Sequence, residues 1–463
     1  MTKRVLVIAY QFPPVGGAGV QRVTKFVKYL PDCGWLPSVL TVSNPSVPVV
    51  DQSLVDEIPA DTIIRRARTW EPGYRAKQAV SAAAETGRGA GHILRSMASA
   101  CVRTVANLLL QPDPQVLWRP AARRAALKLL TEIPHQAILA TGPPFSSFLL
   151  GADLSRRSGL PLVLDYRDEW DISNAAWENK RPGPFSLAWQ SAMQRRAARQ
   201  ARALIATTQA SAEALDRMRC RAGGEARVSA IYNGFDPAEF RDVRSPSVAN
   251  DGRFRLAYIG TLWNLTDVAP LVRAVRQLDQ QQPHLAEQLE LVFAGRRTPA
   301  QQALVDQLKT TRCHLVCQPY LDHDQAIELM YSSHQLCLLL SGCEGAGRVV
   351  PAKVFEYMAC RKRILAIAPQ GEVWNILTEY PAVDLHQPGD IAGIATAIQQ
   401  ALELNQIGTV MDAATANLKP FDRRSQAGQL AAILDQLAIS SAPLEQLAET
   451  RSPQADVALD VGQ

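Results

Sequence analysis

Thirteen short apolar runs, separated mostly by helix-length stretches, leave few folds open to this chain. Seven lie in the first half: RVLVIAY, PSVLTV, TIIRRA, QAILATG, LPLVLDY, ALIATT and VSAIYN. Six follow in the second: RLAYIG, LELVFAG, HLVCQPY, QLCLLLS, RILAIAP and AVDLH. Continuously apolar strands are buried on both faces, and strand–helix alternation places them in parallel sheets between layers of helix. After the first run, Val20, Val23, Val27 and Leu30 recur at helical spacing. Two such series predict an α/β chain of two doubly wound, Rossmann-like domains, over residues 1–245 and 253–415. The polar, turn-forming stretch Arg241–Gly252 marks the seam. Residues 420–440 read as a terminal helix, and 441–463, polar and aperiodic, as a disordered tail.

About seventy residues separate TIIRRA from QAILATG, more than a connection needs, so 70–130 reads as a helical insertion. Within it Ile93, Leu94, Met97, Cys101, Val105, Leu108 and Leu109 share one helical face, with Arg95, Ser99, Arg103 and Asn107 opposite. Such a helix packs on its own core or lies on an anionic membrane. Charge bears on the second reading. The chain carries +5, yet residues 1–150 hold 17 Lys and Arg against 9 Asp and Glu. A basic N-terminal third calls for an anionic neighbour, either a membrane face or a phosphorylated substrate. On the membrane reading, Lys25, Lys28, Arg95, Arg103, Arg123 and Arg124 lie nearest the bilayer, and association weakens with salt.

Other classes fall away. An apolar fraction of 47% excludes wholesale disorder. Charges interrupt every apolar stretch before ~18 residues accumulate, so no spanning helix is expected. The first apolar run ends in Phe12-Pro13-Pro14 without a small-residue cleavage site and reads as a strand. Eight scattered cysteines point to a reducing cytoplasm, and Cys313 and Cys317 lack the second pair a zinc site needs. No RNA-recognition, zinc-finger or helix-turn-helix signature marks a nucleic-acid partner.

Four segments stand at strand ends, where open α/β sheets bind ligands. In QFPPVGGAGVQR, Gly16, Gly17 and Gly19 precede the first helix, where backbone amides favour an anion. In TGPPFSS, Ser146 and Ser147 are placed to cap the next helix, and the loop to wall a cleft. In LVLDYRDEW, Asp165, Arg167, Asp168 and Glu169 abut Trp170. Arg167 is read as pairing with Asp165 or Asp168, and Asp168 as bonding a sugar or acceptor hydroxyl. In SGCEGAGRVVPAKVFEYMAC, Gly345 and Gly347 would turn amides toward a diphosphate that Arg348 and Lys353 neutralise. Glu356 would accept two ribose hydroxyls, or else pair with Lys353. Asp322 and Asp324 mimic a metal-binding D-x-D, but they directly precede a helical segment and are more simply read as caps, so no metal is expected.

Together, FPP–GG–G–QR, TGPPFSS, DYRDEW, YNGFDPAEF and PAKVFEYMA, in that order, resemble the retaining glycosyltransferases of family 4, of the GT-B fold. The subgroup that the chain is similar to works on bacterial cell-surface polysaccharides. The resemblance implies two domains facing across a cleft, a nucleotide-diphosphate sugar held mainly by the second domain, and an acceptor, lipid-linked or saccharide, held by the first. It implies no cofactor; with a lipid-linked acceptor, the basic N-terminal third and the amphipathic segment place the enzyme peripherally at the cytoplasmic face of the inner membrane. Glu356 matches the last residue of the family's E-x7-E motif, expected on the ribose. Glu344 looks like the first, near the donor sugar and catalytic, although eleven residues separate the two here. Gly16 and Gly17 match the loop expected to contact the diphosphate. Asp168 and Arg167 stand where catalytic partners are expected. A basic pair common after the second domain's first strand is replaced by YIGTLWNLTDV, leaving Arg348 and Lys353 to substitute. A sugar-nucleotide epimerase or hydrolase of the same fold, or a silent subunit of a polysaccharide assembly, shares most of these features.

Overall fold

The computed structural model describes residues 3–46, 50–73, 110–172, 183–240, 252–407, 413 and 415–440. All thirteen apolar runs form strands. β1 (Lys3–Ile8), β2 (Trp35–Val42), β3 (Ile63–Ala67), β4 (Ala137–Gly142), β5 (Leu162–Tyr166), β6 (Ala203–Ala206) and β7 (Arg227–Ala230) make one parallel sheet, ordered β3-β2-β1-β4-β5-β6-β7. β8 (Phe254–Ile259), β9 (Leu289–Ala294), β10 (His314–Gln318), β11 (Gln335–Leu339), β12 (Arg363–Ile367) and β13 (Val383–His386) make the other, ordered β10-β9-β8-β11-β12-β13.

Side chains alternate between two cores. Leu6 and Ile8 enter one cluster and Val5 and Val7 the opposite one; Leu256 and Tyr258 divide from Ala257 and Ile259 in the same way. Each sheet reverses its winding once, between β1 and β4 in the first and between β8 and β11 in the second. A crevice opens at such a switch point, beyond the carboxyl ends of the strands. QFPPVGG and TGPP leave β1 and β4; YIGTLW and SGCEGAGR leave β8 and β11. The four loops that chain order scatters between Gln11 and Arg348 therefore gather at two places.

The chain ends against its beginning. Helix Arg423–Ser440 contributes Leu430, Ala431, Leu434 and Leu437 to the cluster that holds Val5, Val7, Trp35 and Val39. Phe235 and the terminal segment exchange backbone bonds: Phe235 N–H donates to Phe421 O, and Arg423 N–H to Phe235 O, each at 3.0 Å. A Cβ on Gly234 would stand 1.9 Å from Phe421 O, so only glycine lets the segments meet. The seam at 241–251, the segment Ile93–Leu109 with Arg95 and Arg103, and the tail 441–463 lie outside the described residues. No described helix is long and apolar enough to cross a membrane.

One capping expectation is corrected. Ser146 and Ser147 stand inside helix Ser146–Ser158, with buried hydroxyls that lack partners. Asp113 Oδ2, from 33 residues earlier, instead accepts from Ser146 N–H at 3.0 Å. Asp322 behaves as its position suggests, closing a capping box with Gln325.

Candidate functional site

The first sheet's switch point is built around Arg167. Its guanidinium lies against the first turn of helix Ala18–Tyr29, where a Cβ on Gly19 would stand 3.1 Å from Nη1 and 3.2 Å from Gln11 Oε1. The residue is 7% exposed. Nη2 donates to Pro143 O, while Nε and Nη1 are buried without a partner. Burial lowers the pKa of this group and Arg22 adds to that, against the pull of Asp168 and Asp165. Gly17 precedes the helix at φ 104, with no atom within 4 Å of where its side chain would begin. Unpaired guanidinium N–H groups beside an open helix N-terminus make a recess suited to an anion.

The anticipated pairing of Arg167 with Asp165 or Asp168 does not form. Asp165 belongs to Arg22, whose Nε and Nη2 reach Oδ1 at 3.0 and 2.9 Å, and Thr141 donates to Oδ2 at 2.9 Å. Strand register explains it, because Thr141 on β4 stands directly opposite Asp165 on β5. Arg22 Nη1 also donates to Ile231 O and Tyr232 O. TGPPF and DYRDEW thus interlock. Arg167 N–H bonds Gly142 O, and Trp170 stacks on Phe145 with ring centroids 4.4 Å apart. Asp168 is exposed, with protein on its inner side. That confinement raises its carboxyl pKa, while Arg167 pulls the other way.

The second sheet contributes differently from expectation. Glu344 is exposed. Gly345 adopts φ 82 with its Cα close to Ile172 of the first domain. A Cβ on Gly347 would stand 2.8 Å from Gln370 O, and one on Gly371 2.1 Å from Gly347 O. These glycines therefore let two loops touch, where any side chain would clash. Arg348 is engaged across the cleft, its Nε and Nη2 on the two Glu169 oxygens at 2.8 and 2.7 Å. Thr208 donates to Arg348 O, and Glu372 accepts from Ala210 N–H and Tyr232 O–H, so one end of the cleft is held shut. Lys353 Nζ lies 2.6 Å from Glu356 Oε2, the simple pair its spacing allowed. Glu356 is buried toward the first domain. Both it and the Arg22–Asp165 pair act electrostatically on Arg423, whose pKa burial lowers.

A second interdomain network was not anticipated. Lys25 is 1% exposed and sits among Glu57, Asp236 and Glu239. Burial opposes its charge, but the three carboxylates outweigh that and raise its pKa. Lys28 bonds Asp236 and Glu57, at 2.8 and 3.0 Å. Lys25 is buried and not available to a bilayer, and Lys28 is half-buried and engaged by Asp236 and Glu57; Arg123 and Arg124 are exposed. The signal was present, since Arg22, Lys25 and Tyr29 share a helical face that would have to be charged if it met water. His323 and Arg423 carried no such mark.

His323 closes this network from the second domain, its Nε2 3.0 Å from Glu239 Oε2. Burial works against the charged ring, yet Glu239 and Glu356 raise its pKa above 6.5. Burial likewise opposes charge on Glu239, and His323 and Lys25 lower its pKa below 4.5. A raised histidine contributes stability that is complete below its unfolded value and lost as pH rises through the folded one. A depressed glutamate contributes above its unfolded value and loses as pH falls. The pair is therefore strongest between the two unfolded values. The urea-unfolding difference between wild type and His323→Gln should be full below about pH 6.5 and shrink as pH rises above it. An unchanged difference would remove His323 from the ion pair.

This architecture defines a class. It is the two-domain GT-B fold of glycosyltransferases, seen also in Anabaena Alr3699/HepE in complex with UDP-glucose (16% identity, TM-score 0.54, covering 96% of this chain and 99% of that one). The apo lipopolysaccharide outer core galactosyltransferase WaaB is similar (12%, 0.51, 95% and 99%), as is a putative UDP-N-acetylglucosamine 2-epimerase from Listeria monocytogenes (12%, 0.51, 99% and 100%). Residues 16–239 match the model of Glycosyltransferase Family 4. No curated protein matches the chain in sequence. Fold and family match together support a GT-B glycosyltransferase.

Proposed function

We propose that the protein transfers a sugar, with retention, from a nucleotide-diphosphate sugar to a lipid-linked or saccharide acceptor in cell-surface polysaccharide or glycolipid synthesis. The observation that carries this is Arg167, a buried guanidinium with two unpaired N–H groups beside the open helix start at Gly16 and Gly17. A departing diphosphate placed there meets fixed donors whose orientation costs nothing at the moment of reaction. Asp168, with its raised pKa, suits acceptance of the acceptor's proton. Glu356 holds the ribose, Glu344 faces the donor sugar, and Lys353 steadies Glu356. Arg348 acts through Glu169, as a clasp between the domains. Neither metal nor cofactor enters this proposal, and the enzyme works peripherally at an anionic membrane.

Thermal shift with a panel of nucleotide sugars tests the reading, since a ligand bound only by the folded state raises its stability. Glu356→Ala should then weaken nucleotide affinity by roughly 10–100-fold, the loss of one or two charge-assisted hydrogen bonds, measured below the variant's lowered melting temperature. Unaltered affinity in calorimetry would take Glu356 out of the ribose site. Similarity over the whole chain to an epimerase keeps a second reading open. Product analysis separates the two, since an epimerase alters the donor without an acceptor.

A further inference from the structure

The cations at the junction of the domains are paired almost throughout. Arg22 meets Asp165, Lys25 and Lys28 share Glu57 and Asp236, His323 meets Glu239, Arg348 meets Glu169, and Lys353 meets Glu356. Among the described residues two guanidinium groups there have no carboxylate within 4 Å: Arg167, in the recess already described, and Arg423. Arg423 is 4% exposed. Its Nη1 donates to Gln426 Oε1 at 3.1 Å. Nε and Nη2 donate to no described residue, and neither is sealed from solvent as Nε and Nη1 of Arg167 are. Taking a charge out of water without a counterion is costly, so a guanidinium kept in that state points to an anion that comes and goes.

The residue is held firmly in place. Its N–H donates to Phe235 O, and Gln426 Nε2 donates to Asn233 O at 3.0 Å, so backbone and side-chain anchor are tied to the same segment of the first domain. Two residues earlier, the Phe421 ring lies 4.8 Å from that of Phe355, the neighbour of Glu356. Burial, with Arg22, brings the pKa of Arg423 down to about 9, against the pull of Glu356, Glu239 and Asp165. Arg22 and Asp165 act on Arg167 as well, so the two unpaired guanidinium groups neighbour one ion pair. Arg348 and Lys353, the cations first expected on the donor, are both taken by carboxylates. Arg423 is the cation left near Glu356, and a guanidinium fork matches phosphate oxygens.

We propose that Arg423 binds a phosphate of the donor, so that the last helix of the chain supplies a donor-binding residue and the nucleotide in turn pins that helix to the cleft. The inference rests on the donor side of the proposed transfer and adds a residue to it. UDP, GDP and ADP are titrated by calorimetry, each beside its nucleoside, into wild type, Arg423→Met and Arg423→Lys. Arg423→Met should weaken the diphosphate that wild type prefers by roughly 10–100-fold, the loss of one or two charge-assisted hydrogen bonds, with nucleoside affinity unchanged. Arg423→Lys keeps the charge without the fork and should recover only part of the loss. In wild type the bound diphosphate should slow hydrogen exchange over residues 423–440, and in Arg423→Met that protection should disappear. Without ligand, Arg423→Met should melt no lower than wild type, because it removes a buried charge that has no counterion. Diphosphate affinity unchanged in Arg423→Met overturns the proposal, and so does an equal loss for nucleoside and diphosphate accompanied by a lower melting temperature, the mark of a structural role. Wild type that binds none of the three diphosphates sinks the glycosyltransfer reading, and the place of Arg423 in it falls too.

Discussion

Arg22→Ala should destabilise the protein by roughly 3–5 kcal/mol, the cost of leaving a buried carboxylate without its partner. Asp165 is fully buried, and apart from Thr141 its oxygens have only Arg22. Removing the guanidinium also frees the carbonyls of Ile231 and Tyr232. Chemical denaturation measures the loss. Arg22→Ala/Asp165→Ala should be less destabilised than the sum of the two single variants, because most of the single cost is the orphaned charge. Strict additivity would mean that the two residues stabilise independently. The affected strands β4 and β5 carry both loops that hold Arg167, so activity should fall with stability.

Arg167→Ala is expected to separate those two quantities. It should lower kcat/KM for sugar transfer by roughly 10²–10³, the usual effect of removing one preorganised donor from a developing negative charge. Folding should suffer little, since the side chain makes one hydrogen bond and leaves two groups unpaired. Arg167→Lys keeps a charge but loses the fork, so it should recover part of the activity at best. Initial rates at saturating and limiting donor, beside a melting curve, check this. Full activity in Arg167→Ala would show that the recess holds no reacting group.

The fold was legible because burial on both faces writes itself into the chain as continuous apolar runs, such as AILATG and LELVFA, which need no knowledge of their partners. Loops at the switch points were legible for a similar reason: glycine and proline mark sharp local geometry wherever it occurs. Pairings between distant side chains were not. Arg22 meets Asp165 across 143 positions and Arg348 meets Glu169 across 179. Nothing local to either residue specifies such a partner. Gly345 and Gly347 show the limit from the other side. Their conformational freedom was evident, yet glycine serves equally for cradling a phosphate and for letting two loops touch, and the sequence carried no sign of the loop contact. Lys25 misled because helical periodicity assumes one wet face, and this helix has none at that position.

The closing of the last helix onto the first strands sets an order of events during synthesis. The ribosome finishes β7 about 190 residues before it reaches Arg423; at 5–20 residues per second, that is an interval of roughly 10–40 s. Throughout it, Val5, Val7 and Trp35 lack the cover that Leu430, Leu434 and Leu437 later give them. The nascent N-terminal half therefore carries an apolar flank that only a chaperone or its own C-terminus can hide. A messenger truncated before residue 423 should yield an aggregating product and no free N-terminal domain.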